Sequence, residues 1–143
     1  MEYHVKIIDP TNDEERYFLF ERLTEFNLPY LGKNQERKVV LGVDDEAERR
    51  IAGLAATITY DTMYVERLWV DEKVRSSGIG RKLMLQAERI AKHSGCRMIH
   101  LFTYDFQAPD FYERLGFEQW GVLEGFPNGH CQLHYRKLLL TNG

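Results

Sequence analysis

Leu68-Trp-Val-Asp-Glu-Lys-Val-Arg75-Ser-Ser-Gly78-Ile-Gly80-Arg-Lys-Leu83 is the stretch on which the fold turns. Its apolar opening, rich in β-branched and aromatic side chains, stops at Asp71-Glu72, crosses a short polar bend and restarts with helical character. The order is strand, loop, helix. Two glycines in the first turn let backbone come close to a ligand, and the first N–H groups of a helix have no partner within it. With Arg75 and Arg81 beside it, such a concavity is a phosphate seat.

A glycine pair also serves ordinary tight turns, so the neighbouring residues must separate the readings. No Gly-Lys-Ser/Thr follows, which disfavours a nucleoside triphosphate loop, and no third glycine completes a dinucleotide fingerprint. Arg75, Gly78 and Gly80 meet the pattern Arg/Gln-x-x-Gly-x-Gly/Ala. The stretch thereby resembles the pyrophosphate loop of the GNAT superfamily of acetyl-CoA-dependent N-acetyltransferases.

Working outward, Tyr3, Val5 and Ile7 alternate with His4 and Lys6 until Asp9-Pro10, which predicts a first strand. Thr11-Asn12-Asp13 offers a helix cap, and Leu19, Leu23 and Phe26 recur at helical spacing to about Asn27. Tyr17, Phe18 and Phe20 are expected mostly in the core, with a share in the wall of an acceptor pocket. Residues 38–43, 51–60 and 63–70 read as a three-stranded antiparallel meander, its first turn the acidic run 44–48.

After the loop, Ile79, Leu83, Ala87, Ile90 and Ala91 share one helical face, with Arg81, Lys82, Gln86, Glu88, Arg89 and Lys92 opposite and Gly95 as the stop. Residues 98–102 are near-continuously apolar, the pattern of a strand buried on both faces, so residues 63–103 form a βαβ crossover with parallel strands. Residues 108–117 contain a second short helix, and residues 117–123 and 132–139 close the sheet across the loop 124–130. This order is that of the GNAT fold: α/β (α+β), a mixed, mostly antiparallel sheet with a parallel βαβ unit at the cofactor site. Phe111-Tyr-Glu-Arg-Leu-Gly-Phe117 is also similar to the family's Tyr-x-x-x-Gly-Phe signature. Phe106-Gln107-Ala108 with Glu124, Pro127, Gly129 and His130 resembles a branch of small bacterial members.

The 143 residues, 43% apolar and 29% charged, suit a single soluble domain spanning residues 1–143. No run is long enough to span a bilayer, the N-terminus lacks a secretory apolar region, and a net charge of −3 with scattered basic residues gives no nucleic-acid footprint. A cytoplasmic protein is expected. Cys96 and Cys131 sit in no metal-ligand or disulfide pattern, which predicts free thiols and no metal.

The resemblance implies acetyl-CoA as cosubstrate, held by Leu68, Trp69, Val70, Arg75, Ser76, Ser77, Gly78, Ile79, Gly80, Arg81, Gln107, Phe111 and Tyr112. It implies that the Val70 N–H meets the carbonyl oxygen and that Tyr112 assists the leaving thiolate. On its residues alone, Tyr112 also reads as a core ring on a short amphipathic helix. Glu66, alternating with Leu68 and Val70 on one side of its strand, and His130 are the candidate bases beside water. Direct transfer needs no cysteine nucleophile. The expected acceptor is a primary amine of a small molecule, and Glu66, Asp71, Asp105 and Glu124 would favour a cationic one. A second copy of the chain is the one macromolecular partner admitted. A protein lysine or N-terminus as acceptor, and a non-catalytic acyl-CoA-binding module on the same fold, stand as the alternatives.

Overall fold

A computed structural model describes residues 1–140, which fall into two compact units that divide between Asn34 and Gln35. The first unit is built on α1 (Asp13–Leu31). Asn12 caps it by accepting the N–H groups of Glu14 and Glu15 at 3.1 and 3.3 Å, and Asp13, Glu14 and Glu15 put negative charge where the helix dipole favours it. The helix runs past the expected end at Asn27, through Pro29, and closes where Gly32 at φ 76° gives its N–H to the Leu28 carbonyl. Proline removes one ladder donor, and the turn tolerates that loss close to its end.

The strand expected over residues 2–8 is absent. Period-two alternation says which face a strand would bury but supplies no ladder partner, and a strand exists only in pairing. Within this unit Tyr17, Phe18 and Phe20 are not core residues. Tyr17 and Phe20 stack on each other at 6.1 Å, and the Arg22 guanidinium lies over Phe18 at 5.3 Å. One helix offers itself no second layer.

The second unit is a six-stranded sheet of order β1-β2-β3-β4-β6-β5. Its strands are β1 (Arg37–Asp44), β2 (Arg50–Thr59), β3 (Thr62–Val70), β4 (Met98–Tyr104), β5 (Glu118–Leu123) and β6 (Gln132–Leu138). The first three form the expected antiparallel meander, and α2 (Ile79–His93) carries the chain from β3 to a parallel β4. The closing hairpin inserts β6 between β4 and β5.

One face of this sheet holds the core. Ala52, Leu54, Ala56 and Ile58 of β2, Met63 and Val65 of β3, and Ile99 and Leu101 of β4 pack with Leu83, Met84, Ala87 and Ala91 of α2. Tyr112, in the short helix α3 (Asp110–Arg114), and Phe117 complete it. Each large apolar side chain buried here contributes about 1.5–3 kcal/mol relative to exposure. Only half of β4 is fully buried: Ile99, Leu101 and Thr103 are, whereas His100, Phe102 and Tyr104 are half-buried on the second face, against the expected two-sided burial. The run of apolar letters hid an alternation, because aromatic rings tolerate a partly wet face.

A β-bulge in β3 decides which residues reach the site. Ala55 pairs with Arg67 and Ala56 with Val65, so Glu66 is the extra residue. Met63 and Val65 before the bulge, and Leu68 and Val70 after it, all face the core. No helix among the described residues is long and apolar enough to cross a membrane.

Candidate active site

The parallel pairing of β3 with β4 is short: Thr62, Met63 and Tyr64 against Met98, Ile99 and His100. Beyond it the two strands no longer pair with each other as they run on to Val70 and Tyr104, leaving a cleft between their C-terminal halves. The Asp71 N–H donates to the Ile51 carbonyl at 2.8 Å, so the neighbouring Val70–Ala52 pair is a non-hydrogen-bonded one. The backbone groups of Val70, and by alternation those of Leu68, therefore turn away from β2 and into the cleft. Trp69 does the opposite: its backbone engages β2, and its half-exposed ring lies on the second face beside Gly53.

The cleft opens above the start of α2. Asp71 caps the bend by accepting the Lys73 N–H at 2.9 Å, and Ser76 (φ 67°) and Gly78 (φ 86°) both take the left-handed conformation. Gly78 is the residue type that accepts this without strain. No side chain caps α2, so the first N–H groups of the helix, from Ile79 through Arg81, keep their donors. The Ser77 hydroxyl is occupied within the bend, donating to the Val74 carbonyl, and the Arg75 Nε donates to the Val70 carbonyl at 3.2 Å. Arg75 is thereby folded over the junction of strand and bend.

Gly80 is where three elements meet. A Cβ placed there would lie 3.4 Å from Phe111 Cζ and 3.6 Å from Val70 Cγ2. The absent side chain lets the first turn of α2 abut the end of β3 and the ring of Phe111, which puts the start of α2, the cleft and α3 side by side. Gln107 seals the other strand: its side-chain oxygen accepts the Tyr104 N–H at 2.9 Å and the Thr103 hydroxyl at 3.3 Å.

Tyr112 is 9% exposed, between Phe111, Phe117 and Tyr135, and burial pushes its phenol up to about 12. No buried polar side-chain atom among the described residues lacks a partner, and no described residue bonds the Tyr112 hydroxyl, so the oxygen itself reaches solvent at the rim of the core. The core reading of this ring is met, and no described residue bonds its hydroxyl.

Glu66 does not share a side with Leu68 and Val70, as simple alternation predicts. The bulge turns it to the second face, where its carboxylate accepts the Thr57 hydroxyl. His130 is half-buried, its Nδ1 2.8 Å from an Asp105 carboxylate oxygen. Neither cysteine is an activated nucleophile: burial raises the Cys96 thiol, and burial followed by the Asp105 carboxylate raises Cys131. Among the described residues, no group of three His, Cys, Asp or Glu side chains could hold a metal ion.

A pocket of about 440 Å³ lies at the same end of the sheet, lined by Tyr104, Phe106, Phe126, Pro127, Asn128 and His130. Tyr104 pairs with Gln132 and Gln132 with Leu123, so the loop 124–131 departs and returns beside the end of β4. Of these residues sequence reasoning marked Phe106 and Pro127 by resemblance alone and His130 both by resemblance and as a candidate base; it passed over Tyr104, Phe126 and Asn128. The usable signal was aromatic residues on both segments that flank the β4–β6 pair.

The family model for the "Acetyltransferase (GNAT) family" matches residues 5–117. A crystal structure of an acetyltransferase from Bacillus cereus is 34% identical and covers 94% of this chain and 98% of its own, with a TM-score of 0.81. An acetyltransferase of Agrobacterium fabrum is 28% identical over 121 residues, 85% of this chain and 88% of that one. The blasticidin-S acetyltransferase of Streptomyces morookaense is 36% identical over 78 residues, 54% of this chain. That match spans 57% of the relative's length.

Proposed function

Because the chain belongs to the GNAT acetyltransferase family, we propose that it moves an acetyl group from acetyl-CoA directly to a primary amine of a small molecule, with residues 1–143 acting as one domain. The observation that carries this reading is the cleft in which the backbone of Leu68 and Val70 has no strand partner, opening above the uncapped start of α2. An extended thioester arm fits such a cleft as a strand would, and its pyrophosphate would meet the N–H groups at residues 79–81 with Arg75 and Arg81 nearby.

In the reaction the amine nitrogen bonds to the carbonyl carbon and the C–S bond breaks. The Val70 N–H supports the carbonyl oxygen as it gains charge, and the Tyr112 hydroxyl supports the departing sulfur. A phenol near 12 stays neutral at any working pH and is a poorer acid than a thiol of about 8.5. It therefore serves as a hydrogen-bond donor, while water delivers the proton that makes the free thiol. The ammonium proton leaves to Glu66 or His130, both on the face from which an amine would enter, or to water. A relative named for blasticidin S supports a small-molecule acceptor.

The test is turnover. Incubation with acetyl-CoA and a panel of primary amines should release free thiol and give an acetylated amine by mass spectrometry. Tight acetyl-CoA binding with no thiol release across that panel, and with lysine peptides also inert, would leave a binding module instead.

A further inference from the structure

We propose that the pocket formed by Tyr104, Phe106, Phe126 and His130 recognises the non-reacting end of the acceptor, and that it selects amines carrying an aromatic or planar heterocyclic body with no negative charge. This rests on the acetyl-transfer reading and adds the substrate class. Position comes first. The phosphate seat and α2 lie on the core face of the sheet, so a thioester reaches the β3–β4 cleft from that face and an amine must approach from the other. Tyr104 and Phe102 are on that other face, as is Glu66. The pocket opens where β4 ends, beside the cleft mouth.

The walls then define the ligand. Tyr104 and Phe106 are parallel, 5.5 Å apart with 7° between their planes, and Phe126 stands edge-on to Tyr104 at 5.3 Å. The His130 ring stands edge-on to Phe106 at 4.8 Å. A cavity with ring faces on one side and ring edges on another offers a flat guest both stacking and edge contacts, and about 440 Å³ suits a small organic molecule. Charge narrows the class further. Among the described residues no Lys or Arg lines the pocket, Asp105 holds His130 at its rim, and Glu124 acts on neighbouring Cys131. An acceptor bearing a carboxylate or phosphonate would meet these anions with no cation to answer them; a neutral or cationic one would not.

The experiment compares acetyl transfer to phenethylamine, ethanolamine and glutamate, in the parent and in Phe126→Ala and Phe106→Ala. The parent should favour phenethylamine over ethanolamine by about tenfold or more in kcat/KM, with glutamate poorest. Either alanine variant should erase most of that preference while leaving the KM for acetyl-CoA near the parental value. Equal kcat/KM for the aryl and alkyl amines, or a preference that survives both substitutions in folded protein, overturns the proposal though the enzyme reading stands. If no amine releases thiol, the acetyl-transfer reading fails instead, and phenethylamine binding followed by NMR decides the pocket: shifts lost in Phe126→Ala uphold its aryl recognition, and no shift in the parent overturns it.

Discussion

The Tyr104 N–H donates to the Gln107 side-chain oxygen at 2.9 Å, at the point where β4 has lost its parallel neighbour. The Asp105 N–H bonds the Cys131 carbonyl, so the adjacent Tyr104 N–H faces away from β6, into the cleft. Gln107 supplies the acceptor that a strand would otherwise supply. Gln107→Ala should cost about 1 kcal/mol and lower the melting temperature by about 3 °C, whereas Gln107→Glu keeps an acceptor and should recover most of the loss. Thermal unfolding of the two variants checks this; equal melting temperatures for Ala and Glu would show that the bond contributes nothing.

Lys137 ties three elements together. Its Nζ donates to Glu88 Oε2 of α2 at 3.1 Å and to the Leu115 carbonyl after α3 at 2.8 Å, and the Glu88 side chain is only 15% exposed. Lys137→Met keeps the stem but leaves the largely covered Glu88 carboxylate with Lys92 alone, at 3.3 Å, and the Leu115 carbonyl without this donor, a loss of about 1–3 kcal/mol. Arg136→Met, which breaks the exposed pair with Glu118, should cost under about 1 kcal/mol. Urea unfolding of both variants measures the contrast.

Tyr112 makes stability depend on alkaline pH. Burial raises its phenol from 10.0 to about 12, so the folded chain holds that proton more tightly than the unfolded chain does. The resulting stability is whole below pH 10 and is lost as pH rises through about 12. Tyr112→Phe removes this group, so its unfolding free energy should fall less steeply than the parent's over that window. Parallel slopes in urea titrations at several alkaline pH values would refute the linkage.

The same substitution reads the chemistry. Tyr112→Phe keeps the ring among Phe111, Phe117 and Tyr135 and removes only the hydroxyl proposed to support the leaving sulfur. Loss of one such donor should reduce kcat by about 10²-fold, with the KM for acetyl-CoA little changed. Parental kcat in a folded variant, on an amine the parent accepts, would make Tyr112 a core residue and nothing more.

Sequence alone placed the meander, the βαβ unit, α2 and the closing hairpin, because each rests on a local pattern with a strong period. It misplaced what depends on pairing. Residues 2–8 alternate as a strand does, yet have no ladder. Glu66 was assigned to the side of Leu68 and Val70 because alternation assumes an unbroken register, and the bulge breaks it at that residue. Glu88 was assigned to solvent because nothing in a helical wheel announces that Lys137, forty-nine positions later, will cover it. The strand, bend and helix around Gly78 were legible because they are contiguous, whereas the aromatic pocket draws on two loops that only the β4–β6 register brings together.

Gly80 separates close packing from ligand access. Its Cβ would lie 3.4 Å from Phe111 Cζ, within ordinary van der Waals reach, so Gly80→Ala should fold and bind acetyl-CoA within a few-fold of the parent. Gly80→Glu sends a longer, anionic side chain toward the donors at residues 79–81, where it would fill the place of the pyrophosphate with like charge. Acetyl-CoA affinity should then fall by at least about 10²-fold, near 3 kcal/mol. Calorimetry on both variants, with circular dichroism to verify folding, gives the answer. Unchanged affinity in folded Gly80→Glu would move the cofactor away from the start of α2 and remove the premise on which the cleft is read as an acyl-transfer site.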